Sequence, residues 1–464
     1  MKNENFEITH SKSNMTSYGF ASMSREFIQI AFNTYVFFYY EAEIGLNVWL
    51  IGIGLIIFAI YNAINDPLIG YLTNRPFKFT KKWGRRFPLI MIGGIPMGFS
   101  YFLVFSPPTV DPNSGALILF FWLIFTTCLF DTFHSIFYVN FSSLFPDKFR
   151  IAKERKTAAG IQVGLGVVGL GLGAIIPPLF INFGDLQSYV LQGVIAMVFG
   201  IATMLIAIPG CREDRKTIDQ YLLTYEKKPE RESFLVETKL AFKIVPFLAF
   251  LALYVLYQAA TVSMIASIPY VVRFILGMPA SATTLIMAAM LIGTVISIPI
   301  WVKLAQKNND NRKVMLIAIT LMGIFTAPLI FLESYILIIL TMLIWGMTLG
   351  GWWSMLFPVM SDVIDESVVR YQKREEGTYN GILQFFGRLG SIIQVLSFAI
   401  VHTLTGFVEG AETQSSTALL GIHIHLGLIP MICLLLAALI FWKFYDIKPD
   451  KVNQNQQKIK ELGL

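Results

Sequence analysis

The chain is a succession of long apolar blocks separated by short polar ones. A bilayer core needs about 20 apolar residues at helical rise. Blocks of that length fall at 18–41, 46–73, 87–107, 115–146, 157–183 and 187–209, and again at 240–271, 280–305, 313–333, 335–366, 377–408 and 416–443. Several exceed the minimum, which predicts tilt or extension past the lipid. Between the two sets lies the longest polar stretch, 210–239, GCREDRKTIDQYLLTYEKKPERESFLVETK. The pattern predicts an all-α membrane protein of twelve transmembrane helices in two six-helix halves, 18–209 and 240–443, joined by that linker. Residues 1–17 and 444–464 read as polar tails, with His10 a solvated residue of the first. The start has no apolar signal-peptide core, so no cleaved leader is expected.

Basic residues fix the expected orientation. Arg75, Lys78, Lys81, Lys82, Arg85 and Arg86 fall between blocks two and three, and Lys148, Arg150, Lys153, Arg155 and Lys156 between four and five. Lys307, Arg312 and Lys313, then Arg370, Lys373 and Arg374, mark later loops on the same side, with the linker and the final tail. The alternate loops EAEIGL, PPTVDPNSG and TGFVEGAETQSST lack Lys and Arg, and Arg273 is the exception. Both termini are therefore expected in the cytoplasm, in a cell (inner or plasma) membrane.

Composition agrees: 55% of residues are hydrophobic and 14% charged, against roughly 25% charged in soluble proteins. The net charge of +6 is spread over juxtamembrane loops, which argues against a nucleic-acid partner. Cys128, Cys211 and Cys433 have no ligand or disulfide spacing. No HExxH, glycine-rich phosphate loop or Cys/His cluster is present, so neither an enzyme nor a cofactor is expected. A channel filter is not visible either.

Ionisable groups inside spans cost about 2.5–3.5 kcal/mol each on insertion scales and ask for a partner or a cavity. The set is Arg25 and Glu26 in span 1, Asp66 in span 2, Asp131 and His134 in span 4, and Arg388 in span 11. At about 1.5 Å per residue, Glu26 lies roughly 12 Å, Asp66 roughly 10 Å and Arg388 roughly 17 Å from the cytoplasmic helix ends. One wet cavity at that depth would hold them all. Structural ion pairs between packed helices are the alternative. Pro67 frees a backbone carbonyl one turn back, and with the Asn62 and Asn65 amides and the Asp66 carboxylate it makes a set of hard oxygen ligands for Na⁺, or a proton site at Asp66. The alternative there is a kink with hydrogen-bonding polar residues. Asp131, His134 and Tyr138 share one face of span 4, as a substrate wall or an interhelical seam. Trp352 and Trp353 follow a Gly-Gly pair, with Trp352 read as a packing residue. His402, His423 and His425 are read as interfacial.

These residues carry a resemblance. YNAINDPLIGYL (61–72) resembles the helix-2 signature of the glycoside–pentoside–hexuronide:cation symporters, the melibiose permease family of the major facilitator superfamily. YGFASMSREF (18–27), NFSSLFP (140–146) with Glu154–Arg155, and SDVIDESVVRYQKREEGTYNGILQFFGRLG (361–390) are similar to that family's helix 1, helix 4 and helix 10–11 segments. The resemblance implies two halves around a central cavity, working by alternating access. It implies that Asp66 is a cation-site acid, with Asn62 standing where a second acid is usual. Arg25 and Glu26 match a Lys-Asp pair whose acid contacts sugar, and Arg388 and Trp353 match a helix-11 base and a sugar-facing helix-10 Trp. Tyr138 stands where sugar permeases carry their main sugar-binding Asp, and Val163 where they carry its Arg partner.

The resulting expectation is a monomeric symporter that couples a sugar or glycoside to Na⁺ or H⁺. The cation falls to Asp66, Asn62 and Glu26, and the solute to Arg25, Glu26, Asp131, His134, Tyr138, Trp353 and Arg388. Two rivals are kept: an uncoupled sugar facilitator, and a lysophospholipid or amphiphile symporter of the same family. A non-transporting membrane sensor is a remote third, since the soluble segments are too short for an output domain.

Overall fold

The computed structural model describes residues 9–73, 77–215, 217–219, 222, 234–373 and 376–462. Among them there is no strand. Contacts divide the chain into two compact units, Met1–Pro229 and Glu230–Leu464. The first holds α1 (Lys12–Phe38), α2 (Val48–Thr73), the short α3 (Thr80–Trp83), α4 (Phe87–Val104), α5 (Ala116–Lys148), α6 (Ala152–Phe180), α7 (Leu186–Ile206) and the short α8 (Ile208–Cys211). The second holds α9 (Phe234–Ala241), α10 (Val245–Tyr270), α11 (Ala282–Asn308), α12 (Asn311–Thr326), α13 (Tyr335–Tyr371), α14 (Glu376–Thr405), α15 (Ser416–His423), α16 (Ile429–Phe444) and α17 (Pro449–Leu462). Arg75, Arg374 and 14 of the 30 residues of the expected linker lie outside the described residues.

Eleven helices among the described residues are long and apolar enough to cross a membrane, α15 and α16 forming one of them. The twelfth expected span, α1, has 27 residues but is too polar to join that set. It is covered instead: 17 of its 27 residues are buried, against 9 of 26 in α2. Its N-terminus is fixed by Ser11, whose side chain accepts from the Asn14 N–H, satisfying one of the orphan donors of a helix start.

Each unit is built by the same pairing rule. In the first, α1 packs on α6 and α7, α2 on α5, and α4 on α5 and α7. In the second, α10 packs on α14 and α16, α11 on α13, and α12 on α13 and α16. Local detail repeats as well. A π-helical turn follows α1 at Tyr39–Glu43 and α10 at Val271–Ile275. Each closes on a left-handed glycine, Gly45 (φ 83°) and Gly277 (φ 59°). The closing backbone bonds correspond one for one: Leu46 N–H to the Tyr40 carbonyl (2.9 Å), and Met278 N–H to the Val272 carbonyl (3.0 Å). Such repeats are common in transporters.

Small residues let helix backbones meet, which is how membrane helices gain packing without a hydrophobic drive. A Cβ at Gly169 or Gly173 of α6 would stand 2.2 Å from the Met23 carbonyl oxygen and 2.3 Å from that of Phe27 on α1. A Cβ at Gly346 of α13 would stand 2.0 Å from the Met290 carbonyl oxygen of α11.

Three expectations need correction. His10 is not solvated: its side chain is 6% exposed, with Nδ1 2.6 Å from Glu154 Oε1 and Nε2 2.8 Å from Asp214 Oδ2. Two carboxylates satisfy both ring nitrogens, which offsets the cost of burial. The segment after 444 is not a bare tail. It forms α17, which packs on α13 through Lys451–Glu366 (3.1 Å) and an Asn455 amide donating to Glu366 (3.0 Å). The three late histidines are not interfacial but buried. Ser267 Oγ donates to the Ser263 carbonyl (2.6 Å) and stands 2.6 Å from His425 Nδ1. With its proton so used, Ser267 accepts from Nδ1–H, and His425 Nε2 then accepts from His402 Nε2–H across 2.9 Å. Phe398 and Phe407 stack on the two imidazoles.

Candidate functional site

Seven of the nine residues singled out from the sequence belong to the first unit, on α1, α2 and α5, and form two adjoining groups. The first centres on Arg25. Its guanidinium lies over the Tyr138 ring at 4.1 Å, its Nε donates to His134 Nε2 at 3.3 Å, and its Nη1 pairs with the Glu26 carboxylate. His134 and Tyr138, one turn apart on α5, stack with ring centroids 5.8 Å apart. Arg25 suits this post because a planar, always charged guanidinium can stack and pair at once. Arg25 and Glu26 remain partly accessible, with side-chain exposures of 23% and 27%, so a base, an acid, an imidazole and a phenol are offered together.

The second group joins α2 to α5 in two rungs. Asn62 Nδ2 donates to Asp131 Oδ1, and one turn on, Ser135 Oγ donates to Asp66 Oδ1 at 2.5 Å. Asn65 adds a bond from its amide to Asp131 Oδ2 at 3.0 Å. Asn62 to Asp66 and Asp131 to Ser135 are both i,i+4 steps, so two parallel helices match turn for turn. Asp131 is 1% exposed. It faces α2 and does not continue the wall made by His134 and Tyr138. Glu26 goes with Arg25 and lies beside Gly166 of α6. The two groups adjoin on α5, where His134 meets Arg25 and the next residue, Ser135, meets Asp66.

Ser135 and Asn65 complete this group. Asn65 carried a signal in its neighbours, and Ser135 had one too, a hydroxyl one turn from Asp131. In the second unit, Trp352 is 1% exposed and stacks on Tyr257 at 3.9 Å, as a packing residue does. Trp353 follows Trp352 on the same helix, near the Tyr257 hydroxyl. Arg388 is half-buried on α14, between Gly387, which meets Tyr254, and Gly390, which meets Gln258.

The hydroxyl, amide and carboxylate oxygens of α2 and α5 are of the type that hard cations prefer, and the Arg25 group suits a polar solute. Comparison with known proteins agrees in kind. The chain is 22% identical over 429 residues to the inner membrane symporter YicJ of Escherichia coli (strain K12), covering 89% of this chain and 87% of that protein. It is 20% identical over 438 residues to the sodium-dependent lysophosphatidylcholine symporter 1-A of Danio rerio, covering 87% and 79%. The fold is similar to that of the nucleoside transporter NupG, with a TM-score of 0.62 at 11% identity over 94% of this chain and 98% of the other. The family described as MFS/sugar transport protein matches residues 17–448. This multi-pass membrane chain, which is a transporter and not an enzyme, therefore belongs to the MFS/sugar transport protein family.

Proposed function

We propose that the protein is a cation-coupled symporter of a polar, hydroxyl-bearing solute of the sugar or glycoside class, working by alternating access. The observation that carries the proposal is the contiguity of the two groups: His134 meets Arg25 and the next residue, Ser135, meets Asp66, so the carboxylates of Glu26 and Asp66 both pull on Arg25. A cation on Asp66 cancels part of that pull and leaves Arg25, Glu26 and His134 to engage solute. Solute on Arg25 in turn leaves Asp66 more available to the cation. Each ligand favours the other, as reciprocal linkage requires.

A second reading has its own observation. Val163 on α6 is 64% exposed, and nothing lies within 4 Å of a Cβ at Gly160 or Gly164. These residues share one face of the helix, a smooth apolar strip suited to an acyl chain. The lysophosphatidylcholine symporters among the relatives favour an amphiphile on the same grounds.

Uptake into proteoliposomes under imposed Na⁺ or H⁺ gradients, with labelled glycosides, pentosides, hexuronic acids and lysophospholipids, separates these readings. The expected result is gradient-driven uptake of a sugar-class solute that Asp66→Asn abolishes. Gradient-independent uptake that survives Asp66→Asn would sink the coupling. Uptake confined to lysophospholipid would transfer the solute assignment to the second reading.

A further inference from the structure

We infer that Asp131 is the positioning residue of the cation site: it holds the amide nitrogen of Asn62, aims the Asn62 carbonyl oxygen as a cation ligand, and supplies the negative charge that Asn62 lacks. The inference rests on the cation reading above and assigns Asp131 away from the solute wall.

An ionised carboxylate only accepts hydrogen bonds. Whatever stands against Asp131 must therefore present a donor, and Asn62, whose only donor is its amide nitrogen, does so through Nδ2. Because amide nitrogen and oxygen lie on opposite prongs of one planar group, this contact decides where Oδ1 goes. Asn62 Oδ1 is buried and has no hydrogen-bond partner among the described residues. A buried acceptor left in that state costs about 1–3 kcal/mol, a cost that a bound cation removes. Asp131 is itself fixed from two sides, since Asn65 donates to its other oxygen, and with 1% exposure it has little freedom to let Asn62 turn over. The donated bond also polarises the amide and makes Oδ1 a better ligand. Asp66 lies one turn along α2 on the same face. The site thus combines a carboxylate of α2, an amide oxygen of α2 aimed from α5, and a second carboxylate one hydrogen bond behind that amide.

The test needs no knowledge of the solute. Binding to the native chain alone stabilises it as ligand concentration rises, so thermal unfolding of the purified full-length protein against Na⁺ and Li⁺ concentration gives an apparent cation affinity. Removing a partner behind a metal ligand typically weakens metal affinity about 10–100-fold, and Asp131→Asn is expected to do so. The double variant Asn62→Asp with Asp131→Asn exchanges acid and amide across the same hydrogen bond and is expected to return to within about threefold of wild type. A merely structural role for Asp131 would not produce that rescue in cation affinity. An Asp131→Asn protein with the wild-type cation midpoint, or an exchanged double variant that folds but binds as weakly as Asp131→Asn, overturns the inference. If Asp131→Asn does not fold, the double variant decides alone. Asp66→Asn is the separate control: unchanged cation affinity there removes the underlying cation site, whatever Asp131 does. A wild-type protein that neither Na⁺ nor Li⁺ stabilises overturns both.

Discussion

The placement of Arg25 and Glu26 depends on how closely α6 approaches α1, and Gly169→Ala tests that dependence. A Cβ at position 169 would stand 2.2 Å from the Met23 carbonyl oxygen and 2.7 Å from its Cα, both backbone atoms, whereas ordinary contact begins at 3.4 Å. No rotamer relieves a backbone clash, so the helices must part by about 1 Å, an overpacking that typically costs about 1–3 kcal/mol. Alanine also gains about 1 kcal/mol of helix propensity over glycine, which would blur the result if the variant were measured alone. Gly171 supplies the control, because nothing lies within 4 Å of a Cβ there. Gly171→Ala collects the propensity gain without the clash, and the difference between the two variants isolates the packing cost. Arg25 and Glu26 follow Met23 by two and three residues, so a displaced α1 takes them off Tyr138 and His134. Thermal unfolding in detergent is expected to place Gly169→Ala below Gly171→Ala by a shift equivalent to about 1–3 kcal/mol. Solute affinity in proteoliposomes is expected to fall only in the former. Equal melting temperatures for the two variants, or a Gly169→Ala protein with wild-type solute affinity, would refute the argument.

Two further outcomes follow from buried histidines. The Asp214 carboxylate, and then Glu154, raise the His10 pKa above 6.5 against opposing burial and the charge of Lys148. The fold therefore favours the protonated ring, and its contribution is complete below pH 6.5 and lost as pH rises through the raised value. Hydrogen exchange at residues 9–15 is expected to speed up beyond its intrinsic pH dependence as pH rises through that value, and His10→Ala is expected to be fast throughout. Protection that grows with pH would contradict this. In the second unit, His425→Phe strands the His402 Nε2–H donor and is expected to cost about 1–3 kcal/mol. Adding His402→Phe removes the stranded donor and is expected to recover part of the loss. A double variant that loses the full sum would show that the N–H···N bond is not the coupling.

The spans were legible because lipid demands unbroken apolar runs. The block 87–107 became Phe87–Val104 and 377–408 became Glu376–Thr405. The start of α1, expected at 18 and found at Lys12, was missed because its first turn is polar, although Ser11 and Asn14 supply a capping signal of their own. The similar depths of Glu26 and Asp66 were expected from rise per residue alone. The orientation of Asp131 was not, because helical spacing says which residues share a face and not which neighbour covers that face at each level. On α5, α2 covers the Asp131 level and Arg25 of α1 reaches the Tyr138 level. The histidines were misread for a similar reason: a position near a span end says nothing about whether an aromatic box and a serine wait there.

The polarity of α1 and the glycines of α6 answer one requirement. A helix carrying Arg25, Glu26 and several serines and threonines pays for insertion unless protein covers it. Covering it with ordinary side chains would hold the neighbours at ordinary helix spacing and leave gaps along the polar surface. The glycines at 169 and 173 let α6 come down to backbone contact with Met23 and Phe27, while Gly200 of α7 brings its carbonyl within 3.2 Å of the Ser24 hydroxyl. Cover on these sides leaves the Arg25–Glu26 pair to α5, where Tyr138 and His134 receive Arg25. The same close packing that makes a polar first helix tolerable thus turns Arg25 onto Tyr138 and His134. Gly169 is therefore expected to govern solute affinity, although no solute would touch it.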